Sequence, residues 1–200
     1  MKTLTGALLA AVATLAFVAC GDDDDDADLT PTPVATQTPV ATPTAAATAS
    51  PTPSPEPFDG GRDPVERADP PVPPVALLTA VEPTAGDTFD RITFTFADNE
   101  PGYRIEYVQP PIVADGSGNP VDIEGDAFLQ VRFTAAQAHD ESGNPTMAVR
   151  EFMTGFASVT EVEQTGDFEG YVTWVLGLTE ELDFRVTDLA DGVVVEIAHP

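Results

Sequence analysis

Cysteine is nearly missing from this chain. The 200 residues hold one, Cys20, so no internal disulfide can form and the usual inference from disulfides to compartment has nothing to rest on. Cations are scarce too. Lys2 is the single lysine, and seven arginines complete the set against 34 acids, for a formal charge of −26. From Phe58 to Pro200, 27 acids face the seven arginines, which leaves about −20. Such a surface repels nucleic acid, anionic headgroups and teichoic-acid-like polymers, and it suits neutral glycans, cationic surfaces or divalent metals. Histidine occurs twice, at His139 and at His199 beside the C-terminus. The motifs H-E-x-x-H, G-x-S-x-G and the P-loop do not occur. "AHDES" sets His139, Asp140 and Ser142 close in sequence, but triad members are gathered by folding rather than by adjacency. The expectation is a protein that is not an enzyme, with no cofactor and no metal, and with His139 at the surface near a helix end.

Long apolar runs are also absent, with one short exception. After Lys2, "LTGALLAAVATLAFVA" is uncharged and rich in small residues. It is short and Ala-rich for a membrane span and matches a secretory signal segment. Its end, Phe17-Val18-Ala19-Cys20, resembles a bacterial lipobox, with Phe17 where that pattern usually has Leu. Residues 1–19 are therefore expected to be removed and Cys20 to become a lipidated first residue. That would anchor the protein to the extracytoplasmic side of the cell membrane. Asp22 to Asp26 then form a solvated, self-repelling spacer rather than a metal cage.

Proline, by contrast, is plentiful and crowded between Pro31 and Pro74. Ala27 to Pro57 is almost entirely Thr, Pro, Ala, Ser and Val, a composition that favours polyproline II over a packed core. Extended at about 3.1 Å per residue, it would reach roughly 95 Å. "ADPPVPP" (Ala68–Pro74) is a second joint, and "FDGGRDPVERAD" between the two is expected to stay mobile. Residues 20–74 thus read as lipidated cysteine plus disordered Thr/Pro-rich tether, and 75–200 as the folded domain.

From Val75 onward, short alternating runs bounded by Gly, Asn, Asp and Pro carry the strand signature. Ile92, Phe94 and Phe96 share one face. So do Tyr103, Ile105 and Tyr107; Leu129, Val131 and Phe133; Val172, Trp174, Leu176 and Leu178; and Val193, Val195 and Ile197. Seven to nine short strands of this kind predict an all-β fold, a sandwich or a closed barrel, and an antiparallel β-sandwich is the expectation. "TAAQAHD" (Thr134–Asp140) is the one helix-like run. Arg91, Arg104, Arg132 and Arg185, with Tyr103 or Tyr171, could form an outward polar binding face, or could pair with the surrounding acids. D-x-S-G-N-P occurs twice, at Asp115–Pro120 and Asp140–Pro145. Asp115, Ser117 and Asn119, with Asp122 and Glu124 nearby, alternate like calcium ligands, as do Asp140, Ser142 and Asn144. The same residue types also make tight turns, and turns are the expectation.

"FDRITFTF", "PGYRIEYV", "ADGSGNPVDIEGDAFLQVRFTAAQAHD", "TGDFEGYVTWVLGL", "FRVTDL" and "VVVEIAHP", in this order, resemble the AMIN-like domain of bacterial envelope lipoproteins. That family is distantly similar to the AMIN domain of cell-wall amidases. The resemblance implies an envelope-located β-sandwich and suggests binding to peptidoglycan. The alternative is a protein-interaction or assembly module whose partner is another envelope protein. It supplies no catalytic residues to carry over. For the anchor, Cys20→Ser is expected to release the protein into the medium or leave it unprocessed. The intact mass of membrane-extracted wild-type protein is expected to include a lipid at Cys20, and an unmodified thiol there would refute the anchor.

Overall fold

A computed structural model describes residues 57–200. Residues 1–19, Cys20 and the tether up to Glu56 lie outside the described residues. Among the described residues there are eleven strands and no helix. They run β1 (Val65–Arg67), β2 (Ala76–Thr84), β3 (Phe89–Ala97), β4 (Gly102–Val108), β5 (Ala127–Thr134), β6 (Ala136–Gln137), β7 (Glu151–Met153), β8 (Val159–Phe168), β9 (Tyr171–Leu178), β10 (Phe184–Leu189) and β11 (Gly192–Ala198). One sheet has the order β1-β4-β5-β9-β8-β7 and the other β10-β11-β3-β2-β6. All pairings are antiparallel except β2 with β6. The expected sandwich is present, and the strands beyond the expected number are the two- and three-residue ones, β1, β6 and β7.

Alternation explains the two layers. On β3, Ile92, Phe94 and Phe96 are buried while Arg91 is exposed. On β5, Leu129, Val131 and Phe133 are buried. Phe133 therefore meets both Phe94 and Phe96 edge to face at 5.0 and 4.9 Å, and Phe94 meets Trp174 of β9 at 6.1 Å. These contacts join the sheets, and Trp174 is fully buried.

β9 is buried on both faces past Tyr171. Its outer face is roofed by the long β4–β5 connection, residues 109–126, which lies so close that Gly177 has no room for a side chain beside the Glu124 carbonyl. Asp126 N–H closes this roof by donating to the Leu178 carbonyl at 2.8 Å. On the other sheet, Glu196 of β11 is buried on the outward side beneath Arg91 and Arg185.

Two expectations are corrected. The run Thr134–Asp140, expected as a short helix, is extended. At Ala135 the backbone takes φ = 53° and the chain leaves β5 to enter the opposite sheet as β6. Ala136 and Ala138 are buried and alternate with Gln137 and His139, a period of two rather than 3.6. A seven-residue helix would make few internal hydrogen bonds. Here Ala135 C=O accepts from Ala76 N–H at 2.9 Å, and Ala136 N–H donates to Gly170 C=O at 3.1 Å. The segment Phe58–Asp69, expected to be mobile, is built into the sandwich. Gly61 pairs with Phe184, with N···O distances of 3.0 and 2.8 Å, and β1 pairs with β4. Val65 packs on the core, and Arg67 donates to the Pro101 carbonyl at 2.9 and 2.6 Å. Few apolar residues suffice because the segment caps existing sheet edges. The ordered fold thus begins upstream of Val75.

Trp174→Ala is expected to destabilise the fold by about 3–5 kcal/mol. Urea unfolding followed by circular dichroism measures the loss. In the wild type, iodide is expected to leave Trp174 emission nearly unquenched.

Candidate functional site

The β8–β9 hairpin turns on two residues, Glu169 and Gly170, with φ of 52° and 80°. Positive φ at both central positions matches the right-handed twist of the flanking strands. The turn sets Phe168 and Tyr171 directly opposite each other. Val172 faces the core, so Tyr171 faces out, and both aromatics are open to solvent, at 51% and 39%. Phe168 rests over Gly116 in the roofing connection, where a side chain would meet the ring. Arg132 of β5 stacks on Tyr171 with its guanidinium carbon 4.3 Å from the ring centre. A cation over a tyrosine face is held by the ring quadrupole.

Arg104 of β4 lies beside Arg132 in register. Arg104 is neutralised by Glu66 and by Glu106, the latter through two hydrogen bonds of 2.6 Å. Arg132 has no carboxylate within salt-bridge distance among the described residues. Its buried Nε has no hydrogen-bond partner there. The outer face of the six-stranded sheet thus presents a row running Phe168, Tyr171, Arg132 and Arg104.

Of the two readings of the four arginines, pairing with acids holds for Arg91, Arg104 and Arg185, and the four are divided between the two sheets rather than gathered on one face. Arg91 and Arg185 belong to the five-stranded sheet and both close on Glu196. Tyr103 is withdrawn from the surface at 7% exposure. Its hydroxyl donates to Asp188 Oδ1 at 3.1 Å, and burial together with the Asp188 charge pushes its pKa up to about 12. Of the possible binding face, Arg104, Arg132 and Tyr171 come together. Phe168 completes it.

The two D-x-S-G-N-P segments are both turns. Each is closed by a β-bridge to its proline, Val113 to Pro120 in the first and His139 to Pro145 in the second. Asp140 Oδ1 accepts from the backbone N–H of Ser142 at 2.9 Å and of Asn144 at 2.8 Å, so its carboxylate serves its own loop. In the first copy, Ser117 Oγ accepts from Asn119 N–H at 3.3 Å. Glu124 engages Glu161 through its backbone N–H, at 2.6 Å, rather than through its carboxylate. Among the described residues, no three His, Cys, Asp or Glu side chains converge as a metal site would require.

His139 lies just past β6, not at a helix end. Its Nδ1 is 2.7 Å from Asp167 Oδ2, a residue that no sequence adjacency pointed to. It forms no hydrogen bond with Asp140 or Ser142 among the described residues. His199 sits 3.2 Å from Asp90, whose buried carboxylate also accepts from Ser158 and Val159 N–H at 2.7 and 3.1 Å. That pair fastens the C-terminus to the fold.

In the comparison with protein families, the model of the AMIN-like domain matches residues 76–199, nearly the whole sandwich. No curated protein and no solved structure matches the chain.

Two carboxyl groups with opposite surroundings test the electrostatics. Glu163 is raised by burial and then by the neighbouring charges of Glu161 and Glu151. Burial also pushes Glu196 up, but hydrogen bonds from Arg91 and Arg185 outweigh it and hold the group below the ordinary value. A raised carboxyl binds its proton more tightly when folded, so its ionisation removes stability as pH climbs through the raised pKa. A lowered one contributes stability above its ordinary pKa and loses it as pH falls through the lowered value. Glu163→Gln is therefore expected to raise the urea midpoint at neutral pH, with the gain vanishing in acid. Glu196→Gln is expected to lower it at neutral pH, with the loss shrinking in acid. Urea melts across that pH range check both signs.

Proposed function

Because the chain belongs to the AMIN-like domain family, we propose that it is an extracytoplasmic, non-catalytic module that binds peptidoglycan through the outer face of its six-stranded sheet. AMIN-like domains are found in bacterial envelope proteins and are in general binding domains without catalysis. The observation that carries the reading is the pair of exposed aromatics, Phe168 and Tyr171, beside Arg132. A sugar ring offers an apolar face of C–H groups and a rim of hydroxyls. An exposed aromatic side chain receives the first, and adjacent polar groups receive the second. Tyr and Arg are the side chains favoured at recognition surfaces, and two χ angles per aromatic keep the ordering cost low. The remaining large exposed apolar residues, Val72, Val113, Val149, Met153 and Leu189, come from other strands and connections, unlike the aromatic pair seated side by side.

The charge of about −20 on the folded part refines the ligand. Neutral or zwitterionic wall glycan fits, and wall carrying anionic polymer is repelled. In this proposal Cys20 bears the lipid that holds the protein at the membrane, residues 1–19 are the signal cut away to leave Cys20 as the first residue, and the Thr/Pro-rich segment spans the distance to the wall.

Co-sedimentation with purified peptidoglycan tests the reading. Wild-type protein is expected to be retained, and more strongly on wall stripped of teichoic acid, with salt narrowing that difference. Phe168→Ala combined with Tyr171→Ala is expected to lower retention by about tenfold or more. Both side chains are exposed, so circular dichroism and urea midpoint are expected to change little. Equal retention of the double variant would sink the proposed face. Indifference to peptidoglycan together with capture of one specific envelope protein would replace the glycan by a protein partner. Release of soluble fragments would make the protein an enzyme.

A further inference from the structure

The two D-x-S-G-N-P turns, far apart in sequence, meet at one place. A cleft of about 460 Å³ opens at the edge of β8, lined by Asp115 of the first turn, by His139 at the base of the second, and by Arg150, Gln164 and Asp167. This volume falls in the range of small-ligand sites, about 300–1,000 Å³. β7 pairs only with residues 161–163 of β8, and β8 carries a bulge between Gln164 and Gly166. The bulge leaves its edge irregular where the turns arrive.

The lining has a definite polarity. Asp115 is fixed in place: its Oδ2 accepts from the Thr173 hydroxyl at 2.6 Å and its N–H donates to the Thr165 carbonyl at 2.9 Å. Its carboxylate lies so near the β8 backbone that Gly166 has no room for a side chain. Its Oδ1 accepts no hydrogen bond, and no cation pairs with it, among the described residues. Arg150 is the complement. It is exposed, and it has no carboxylate within salt-bridge distance among the described residues, although acids outnumber arginines here 27 to seven. A carboxylate can only accept, so the contact of His139 with Asp167 puts the imidazole proton on Nδ1 and leaves Nε2 of the neutral ring as an acceptor. Gln164 Oε1 is buried without a partner. A buried carbonyl oxygen left unpaired is unfavourable, so the site has an unmet demand for an N–H donor.

We propose that this cleft binds a short peptide bearing both a free amino group and a free carboxylate. Asp115, with His139 Nε2, receives the ammonium, Arg150 receives the carboxylate, and Gln164, its Oε1 turning out from its buried position, takes the amide N–H between them. No Phe, Tyr or Trp lines the cleft, so a sugar lacks a broad aromatic face to stack on, and Asp115 and Asp167 oppose a polyanion. The site is separate from the aromatic face and does not depend on glycan binding there.

Trp174 reports on it. It is the only tryptophan and the direct cross-strand partner of Gln164. Titrating the full chain with alanyl-alanine is expected to shift Trp174 emission saturably, with matching heat in calorimetry. Acetylating the amino end or amidating the carboxyl end of the dipeptide is expected to weaken binding by about tenfold or more, and so are Arg150→Ala and Asp115→Asn. Arg150 is exposed, so its variant folds even where Asp115→Asn disturbs the turn. Arg62→Ala, at an exposed pair with Asp183, is expected to change nothing. The dipeptide contains no sugar, so this readout stands apart from peptidoglycan retention. No saturable response to the free dipeptide, equal binding of the capped forms, or full binding by Arg150→Ala would each overturn the proposal.

Discussion

The contact on which the rest of the structure depends is the cluster in which Phe94 and Phe96 of β3 meet Phe133 of β5 and Phe94 meets Trp174 of β9. β3 belongs to one sheet, and β5 and β9 to the other. Edge-to-face aromatic pairs contribute about 0.5–1.5 kcal/mol beyond their buried area. Their larger effect is on register. Each of these strands has one face committed to the cluster, so a slip of one residue would turn buried aromatics to water on that strand. Once β9 is fixed with Trp174 inward, Tyr171 must point outward, and so must Arg132 once Val131 and Phe133 are fixed inward. The outer face is a consequence of the core.

Charge is handled by a different economy. Seven arginines cannot neutralise 27 acids, and the fold uses most of them at specific carboxylates. Two close over buried Glu196, one bridges Glu66 and Glu106, and Arg67 meets Asp188 while stacking on Tyr103. The exposed pairs contribute little each, but Glu196 is buried and would be costly without its guanidiniums. Where cations run out, acids crowd, as Glu151, Glu161 and Glu163 do across β7 and β8. In such a molecule an arginine without a carboxylate stands out, and the two in the described structure, Arg132 and Arg150, lie on the aromatic face and in the cleft.

The strands with clean period-two patterns were legible from sequence. β3, β5 and the inward faces of β4, β9 and β11 fall as their alternation predicts, because one buried face leaves a strong local trace. β1 and β6 leave none. They are two or three residues long and are defined by backbone pairing with partners distant in the chain. The helical look of Thr134–Asp140 came from its alanines, which are small enough for either conformation; the available edge of β2 decided the outcome. The site was legible in part. Outward placement of Arg104, Arg132 and Tyr171 follows from alternation, but sheet membership is a matter of topology, and so Arg91 and Arg185 went elsewhere. The repeated D-x-S-G-N-P was visible as two turns. That both reach one cleft, and that Asp167 holds His139, depends on contacts no local pattern encodes.

The segment that leads into the sandwich touches both of its layers. Gly61 is hydrogen-bonded to Phe184 at the rim of the five-stranded sheet, and four residues later β1 begins its pairing with β4 at the rim of the six-stranded sheet. A pull arriving from the N-terminal side therefore meets Phe58, held against Phe89 and under Arg185, and then Gly61 with its two hydrogen bonds, with the three-residue ladder of β1 behind them, before it can reach β2 and the core. The entry segment behaves as a strain relief, like the clamp where a cable enters a plug: a tug can strip the clamp while the strands that carry the aromatic face and the cleft keep their registers.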